Sequence, residues 1–121
     1  MSRTIRFPGE PPAWDAIRAQ LRRVLPDIPL RMIDDQPAFP DETPEPGWHE
    51  LRVGTAAGMI TIRRGPDSLT CVTWGNADPV LSTAWDRICW ACAAAGGGTL
   101  DTPAGSVSAD EFAASAGIAT G

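Results

Sequence analysis

The sequence predicts an α+β domain, a two-layer sandwich of a mainly antiparallel sheet of about five or six strands with two amphipathic helices on one face. Three observations carry this. Ser68–Gly98 reads as an alternating strand (Ser68–Trp74), a turn at Gly75-Asn76 and a helix of about four turns, from Asp78-Pro79 to three glycines. Ala13–Leu25 carries an apolar stripe of Trp14, Ile17, Leu21, Val24 and Leu25 at helical spacing. Trp48–Val53, Met59–Arg63 and Ser68–Trp74 are strand-like runs separated by short turn clusters, the pattern of an antiparallel meander.

In chain order, Arg3–Phe7 alternates with Ile5 and Phe7 on one face, and Pro8–Pro12 forbids regular pairing before the first helix. Pro26 stops that helix, and Leu30–Ile33 is a short strand. Asp34–Gly47 holds four prolines and five acidic residues in fourteen positions, so neither a helix nor a central strand fits there. It reads as a solvated, semi-stiff loop in which Phe39 is the one residue suited to docking.

The second helix has Asp78 as N-cap and Pro79 where a missing N–H costs nothing. Leu81, Trp85, Ile88, Cys89, Cys92 and Ala95 form its core stripe, while Trp90 falls on the polar side with Asp86 and Arg87. Gly96-Gly97-Gly98 reads as a C-cap and flexible hinge. Thr99–Asp101 suggests a short edge strand. Ser108-Ala109-Asp110-Glu111 fits a capping box opening a short helix, Ala109–Ala116, that stops at Gly117. Phe112 and Ile118 are the candidates to cover Trp90, and the last three residues are expected to fray. The resulting order is β-α-β-β-β-β-α-β plus a terminal helix. Its nearest common layout is ferredoxin-like with an inserted strand, within a single domain spanning 1–121.

Chemistry-bearing motifs are sparse. Cys89-Trp90-Ala91-Cys92 lies more than two turns into its helix with both thiols on the apolar stripe, away from the N-terminal amides that activate a redox thiol. One further Cys and one His supply no zinc set, and the triple glycine follows a helix where a phosphate loop would open one. No catalytic residue, metal or cofactor is therefore expected. The alternatives are His49 as a catalytic base and the carboxylate pairs Asp34-Asp35 and Asp41-Glu42 as a divalent-cation site.

The net charge of −5 argues against nucleic-acid or anionic-membrane binding. Three cysteines and no apolar run of membrane-spanning length suggest a cytoplasmic protein. All ten basic residues are Arg, as codon bias in a GC-rich bacterial genome produces, so arginine abundance alone says little. The leading expectation is a non-enzymatic interaction module of the immunity, adaptor or assembly kind. Its protein partner, or a second copy of itself, would dock on Trp90, Arg18, Arg22 and Phe39. The alternative is a small-molecule-binding or enzymatic domain using the Asp34–His49 region.

Overall fold

The computed structural model describes residues 1–25, 28–74 and 78–120. In chain order the elements are β1 (Ser2–Arg6), α1 (Trp14–Leu21), β2 (Leu30–Ile33), β3 (Gln36–Pro37), β4 (Glu50–Thr55) and β5 (Gly58–Arg64). They continue with β6 (Ser68–Val72), α2 (Pro79–Gly96), β7 (Thr99–Thr102), β8 (Gly105–Ser108) and α3 (Ala109–Ala116). The α+β class holds, but the described sheet has eight strands, in the order β3-β2-β4-β5-β6-β1-β7-β8, and every neighbouring pair is antiparallel.

The expected count of five or six strands fails at the two edges, where β3 and β8 are return arms of tight hairpins. Asp34 and Asp35 make the first turn with φ of +47° and +66°. That mirror-image geometry matches strand twist but usually recruits Asn or Gly. The ferredoxin-like layout with one inserted strand gives way to a larger plan. The α2 connection from β6 to β7 passes over β1 alone, whereas α1 joins β1 to β2 across β4, β5 and β6. The expected turn at Gly75-Asn76 and the helix stop at Pro26 lie outside the described residues.

Alternation separates the two faces of the sheet. Ile5, Leu51, Val53, Ile60, Ile62, Leu69 and Leu100 are fully buried under the helices. The other face carries polar rows, among them Glu50, Arg63, Thr70 and Thr4 across β4, β5, β6 and β1. This is the one-side-packed, one-side-solvated pattern of antiparallel sheets. In the helical layer α2 is central, packed against both α1 and α3, and every residue from Ile88 to Ala93 is buried. A helix apolar all round belongs inside a layer.

Both long-range helix ends match their chemistry. The Asp78 carboxylate accepts from the Leu81 amide at 2.8 Å, and Gly97 caps α2 in the left-handed conformation. Ser108 and Glu111 form both halves of the capping box of α3. α1 is shorter than expected. After Leu21 the amides of Arg23 and Val24 reach back three residues instead of four, tightening the chain.

The triple glycine is a point of close approach instead of a hinge. A Cβ on Gly98 would lie 2.7 Å from the Phe7 ring, 2.9 Å from the Arg6 carbonyl oxygen and 2.9 Å from Ile5. One on Gly97 would meet open space, with only its φ of +65° opposing it. Gly98→Ala is therefore expected to cost about 1–3 kcal/mol by displacing β1, and Gly97→Ala about 1 kcal/mol. Urea unfolding of the two variants checks the ranking; a harmless Gly98→Ala would contradict the β1–β7 packing.

Candidate functional site

Arg18 and Arg22 stand one turn apart at the C-terminal end of α1 and line an open groove of about 370 Å³. Leu21, Leu25 and Ile28 make it apolar, and Pro40 and Asp41 form the opposite wall. Neither arginine forms an ion pair among the described residues. By contrast, Arg3, Arg6, Arg52 and Arg63 each pair with a carboxylate.

The far wall is held in place by the backbone. The Leu30 amide donates to the Pro40 carbonyl at 3.2 Å and the Ala38 amide to the Arg31 carbonyl at 3.0 Å. The Asp34 carboxylate accepts from the His49 and Glu50 amides at 2.7 and 2.8 Å. Asp34–Gly47 is thus strapped to the sheet edge, not a loose excursion. Between these straps the Phe39 amide donates to Glu42 Oε1, and the Glu42 amide donates back to the Phe39 carbonyl. That small turn props out the Phe39 ring, 75% exposed. A fixed, exposed aromatic is a residue type suited to an interface anchor, and Phe39 directly precedes Pro40 of the groove's lining.

Of the four sequence-predicted residues, Arg18 and Arg22 line one groove, and Phe39 is the chain neighbour of Pro40 in that groove's lining. Trp90 does not join them as an exposed anchor: it is 3% exposed. The Arg23 guanidinium lies 5.6 Å over its ring and also donates to the Thr120 carbonyl, so the terminal segment is tied down up to that residue. Phe112 is buried as expected of a cover, but its ring faces the Arg3 guanidinium.

The alternative centre is an open depression of about 440 Å³ bordered by Asp34, Asp35, His49, Glu50, Arg63 and Arg64. Its charges are largely spent on one another or on the backbone. Arg63 pairs with Glu50 at 3.1 Å, Asp34 holds two amides, and Arg64 donates to the Pro46 carbonyl.

The three thiols are buried and clustered, with Cys71 Sγ 3.9 Å from Cys92 Sγ. Burial pushes the Cys89 thiol well up, and contact with Cys71 adds to this. Contact with Cys89 pulls the Cys71 thiol down, but Cys92 and burial outweigh it and hold it well above its ordinary range. The folded Cys71 and Cys89 thiols thus keep their protons where unfolded ones lose them. The contribution of these two thiols to stability is full below about pH 8.5 and is lost as pH rises beyond it. Unfolding free energies on either side of that pH should show the fall, flattened in Cys71→Ala/Cys89→Ala. Native thiols should also label slowly, and rapid labelling would contradict their burial.

Sequence reasoning missed Trp74, which is 62% exposed on the bare sheet face under the Arg63 guanidinium, 5.3 Å from the ring centre. The available signal was its register with Thr70 and Val72. No protein-family model matches the chain, and no curated protein or solved structure matches it significantly.

Proposed function

We propose that this protein is a non-enzymatic interaction module, of the immunity, adaptor or assembly kind, that binds a protein partner through the α1 end and the Phe39 turn. The observation that carries this is an apolar groove lined by Arg18 and Arg22, neither of which forms an ion pair among the described residues, together with an exposed Phe39 one residue before the groove-lining Pro40. Desolvated arginines and aromatics are the residue types that dominate interface energetics. Small-molecule chemistry at His49 has less support, because the charged groups there already neutralise one another. No described helix is long and apolar enough to cross a membrane. A cytoplasmic location belongs to the same proposal and is supported by three unbridged cysteines.

The test is a photo-crosslinking amino acid placed at position 39, at position 22 and, as a control, at the exposed Ser106 of β8, in the cells that express the protein. One common adduct from positions 39 and 22 that is absent from 106 is expected. No adduct from either, or the same adducts from all three positions, would refute the reading.

A further inference from the structure

A cleft of about 340 Å³ opens between the start of α1 and residues 43–48, a few positions beyond Phe39 on the same strapped loop. Trp14, Pro44, Pro46 and Trp48 make it apolar, and the charges in its described lining are the carboxylates of Asp15 and Glu45. The Trp48 amide donates to the Glu45 carbonyl at 3.1 Å, which fixes that rim. Neither carboxylate is paired among the described residues. By contrast, Asp34 and Asp78 hold backbone amides, and Glu50, Asp86 and Asp101 hold arginines.

Open donors meet these open acceptors. Ala13 gives α1 no side-chain hydrogen bond, whereas Asp78 and Ser108 cap α2 and α3. The first-turn amides of α1 therefore lack that acceptor. Trp14 is buried, and its indole Nε1 has no hydrogen-bond partner among the described residues. A buried donor left unmade costs stability that an acceptor seated in the cleft would recover.

We infer that this cleft takes an arginine of the partner chain, its guanidinium on Asp15 and Glu45 and its backbone carbonyl at the uncapped end of α1. The inference rests on the partner reading above and specifies what the partner presents there. A planar guanidinium pairs with carboxylates in a fork, and its methylene stem lies well on apolar walls. An apolar side chain would bury both carboxylates unpaired, and a phosphate, though drawn to a helix start, would be repelled by them. The chain's own Arg64 does not fill the place: it lies over the Trp48 ring and donates to the Pro46 carbonyl. Free arginine carries a carboxylate of its own toward the same acids, so an arginine within a polypeptide fits better.

The test is titration of the purified full chain with the blocked tripeptide acetyl-glycyl-arginyl-glycinamide, followed through the indole N–H signals by heteronuclear NMR. A saturable shift of the Trp14 signal is expected at millimolar peptide, the scale for a fragment of this size. Citrulline in place of the arginine keeps the shape without the charge and should bind at least about tenfold more weakly. Asp15→Asn/Glu45→Gln should weaken the arginine peptide by a similar factor, as should added salt. Both residues are exposed, and urea unfolding shows whether the double variant folds; the citrulline comparison decides on the unaltered chain if it does not. No shift, equal binding of the citrulline peptide, undiminished binding to the folded variant, or tighter binding of free arginine than of the tripeptide would overturn the inference. Such a result together with a crosslink at position 39 overturns the arginine and leaves the partner reading standing. A bound tripeptide without a crosslink at 39 or 22 sinks the partner reading, and the assignment of the cleft to a partner with it.

Discussion

Trp90→Ala is expected to lower the unfolding free energy by about 3–5 kcal/mol, the cost of emptying a core site of indole size. The residue sits on the side of α2 that the sequence marks as polar, yet it is one of the unbroken buried run from Ile88 to Ala93. Its indole Nε1 is buried without a hydrogen-bond partner among the described residues. Trp90→Phe should therefore cost much less, about 1 kcal/mol, because lost area is partly offset by removal of an orphaned donor. Urea denaturation of both variants checks the pair of values. A loss below about 1 kcal/mol for Trp90→Ala would mean the packing of α2 against α1 and the terminal segment is wrong.

The second large effect is expected at Arg3. Its side chain is only 14% exposed and its guanidinium reaches Asp86 at 2.9 Å. The same group lies 4.1 Å from the Trp85 ring centre and 4.7 Å from that of Phe112. One side chain thus fastens β1 to α2 and α3 through an ion pair and two cation–π contacts. Breaking a buried pair typically costs about 3–5 kcal/mol, and since Asp86 remains partly solvated Arg3→Ala should cost about 2–4 kcal/mol. Arg3→Lys keeps the charge but loses the flat stacking surface, so it should recover only part of this. A double-mutant cycle with Asp86→Ala separates the ion pair from the stacking. Full recovery in Arg3→Lys would show that the aromatic contacts contribute little.

These two residues also mark how far the sequence could be read. Features set by local chemistry were legible: the Asp78 cap, the Ser108–Glu111 box, the β4–β5–β6 alternation and the core stripe of α2. The hairpin arms were not. The Asp34-Asp35 turn lacks the glycine or asparagine that announces such geometry, and Gly105–Ser108 has only Val107 to suggest alternation. Periodicity assigns a face within one helix but does not reveal what neighbour covers its back, which is why Trp90 was open to either reading. The same limit applied to the arginines. Arg3 and Arg6 lie in an alternating strand whose sequence gives no sign of their partners, yet each pairs with an acid more than eighty residues away, Asp86 and Asp101. Arg18 and Arg22 were legible as candidates because they lie off the stripe of α1. That they face Pro40 and Asp41 across a groove required the tertiary fold.

Hydroxyl-radical footprinting of the complex formed with the crosslinked partner locates the bound surface, since four exposed oxidisable side chains report on three different surfaces. Phe39 reports on the turn leading into the Pro40–Asp41 lining of the α1 groove, Trp74 and Met59 on the bare sheet face, and His49 on the polar depression. Binding through the α1 end predicts a several-fold slower oxidation of Phe39, with Trp74, Met59 and His49 unchanged. Protection of Trp74 and Met59, or of His49, with Phe39 still fully reactive would place the partner elsewhere and contradict the account.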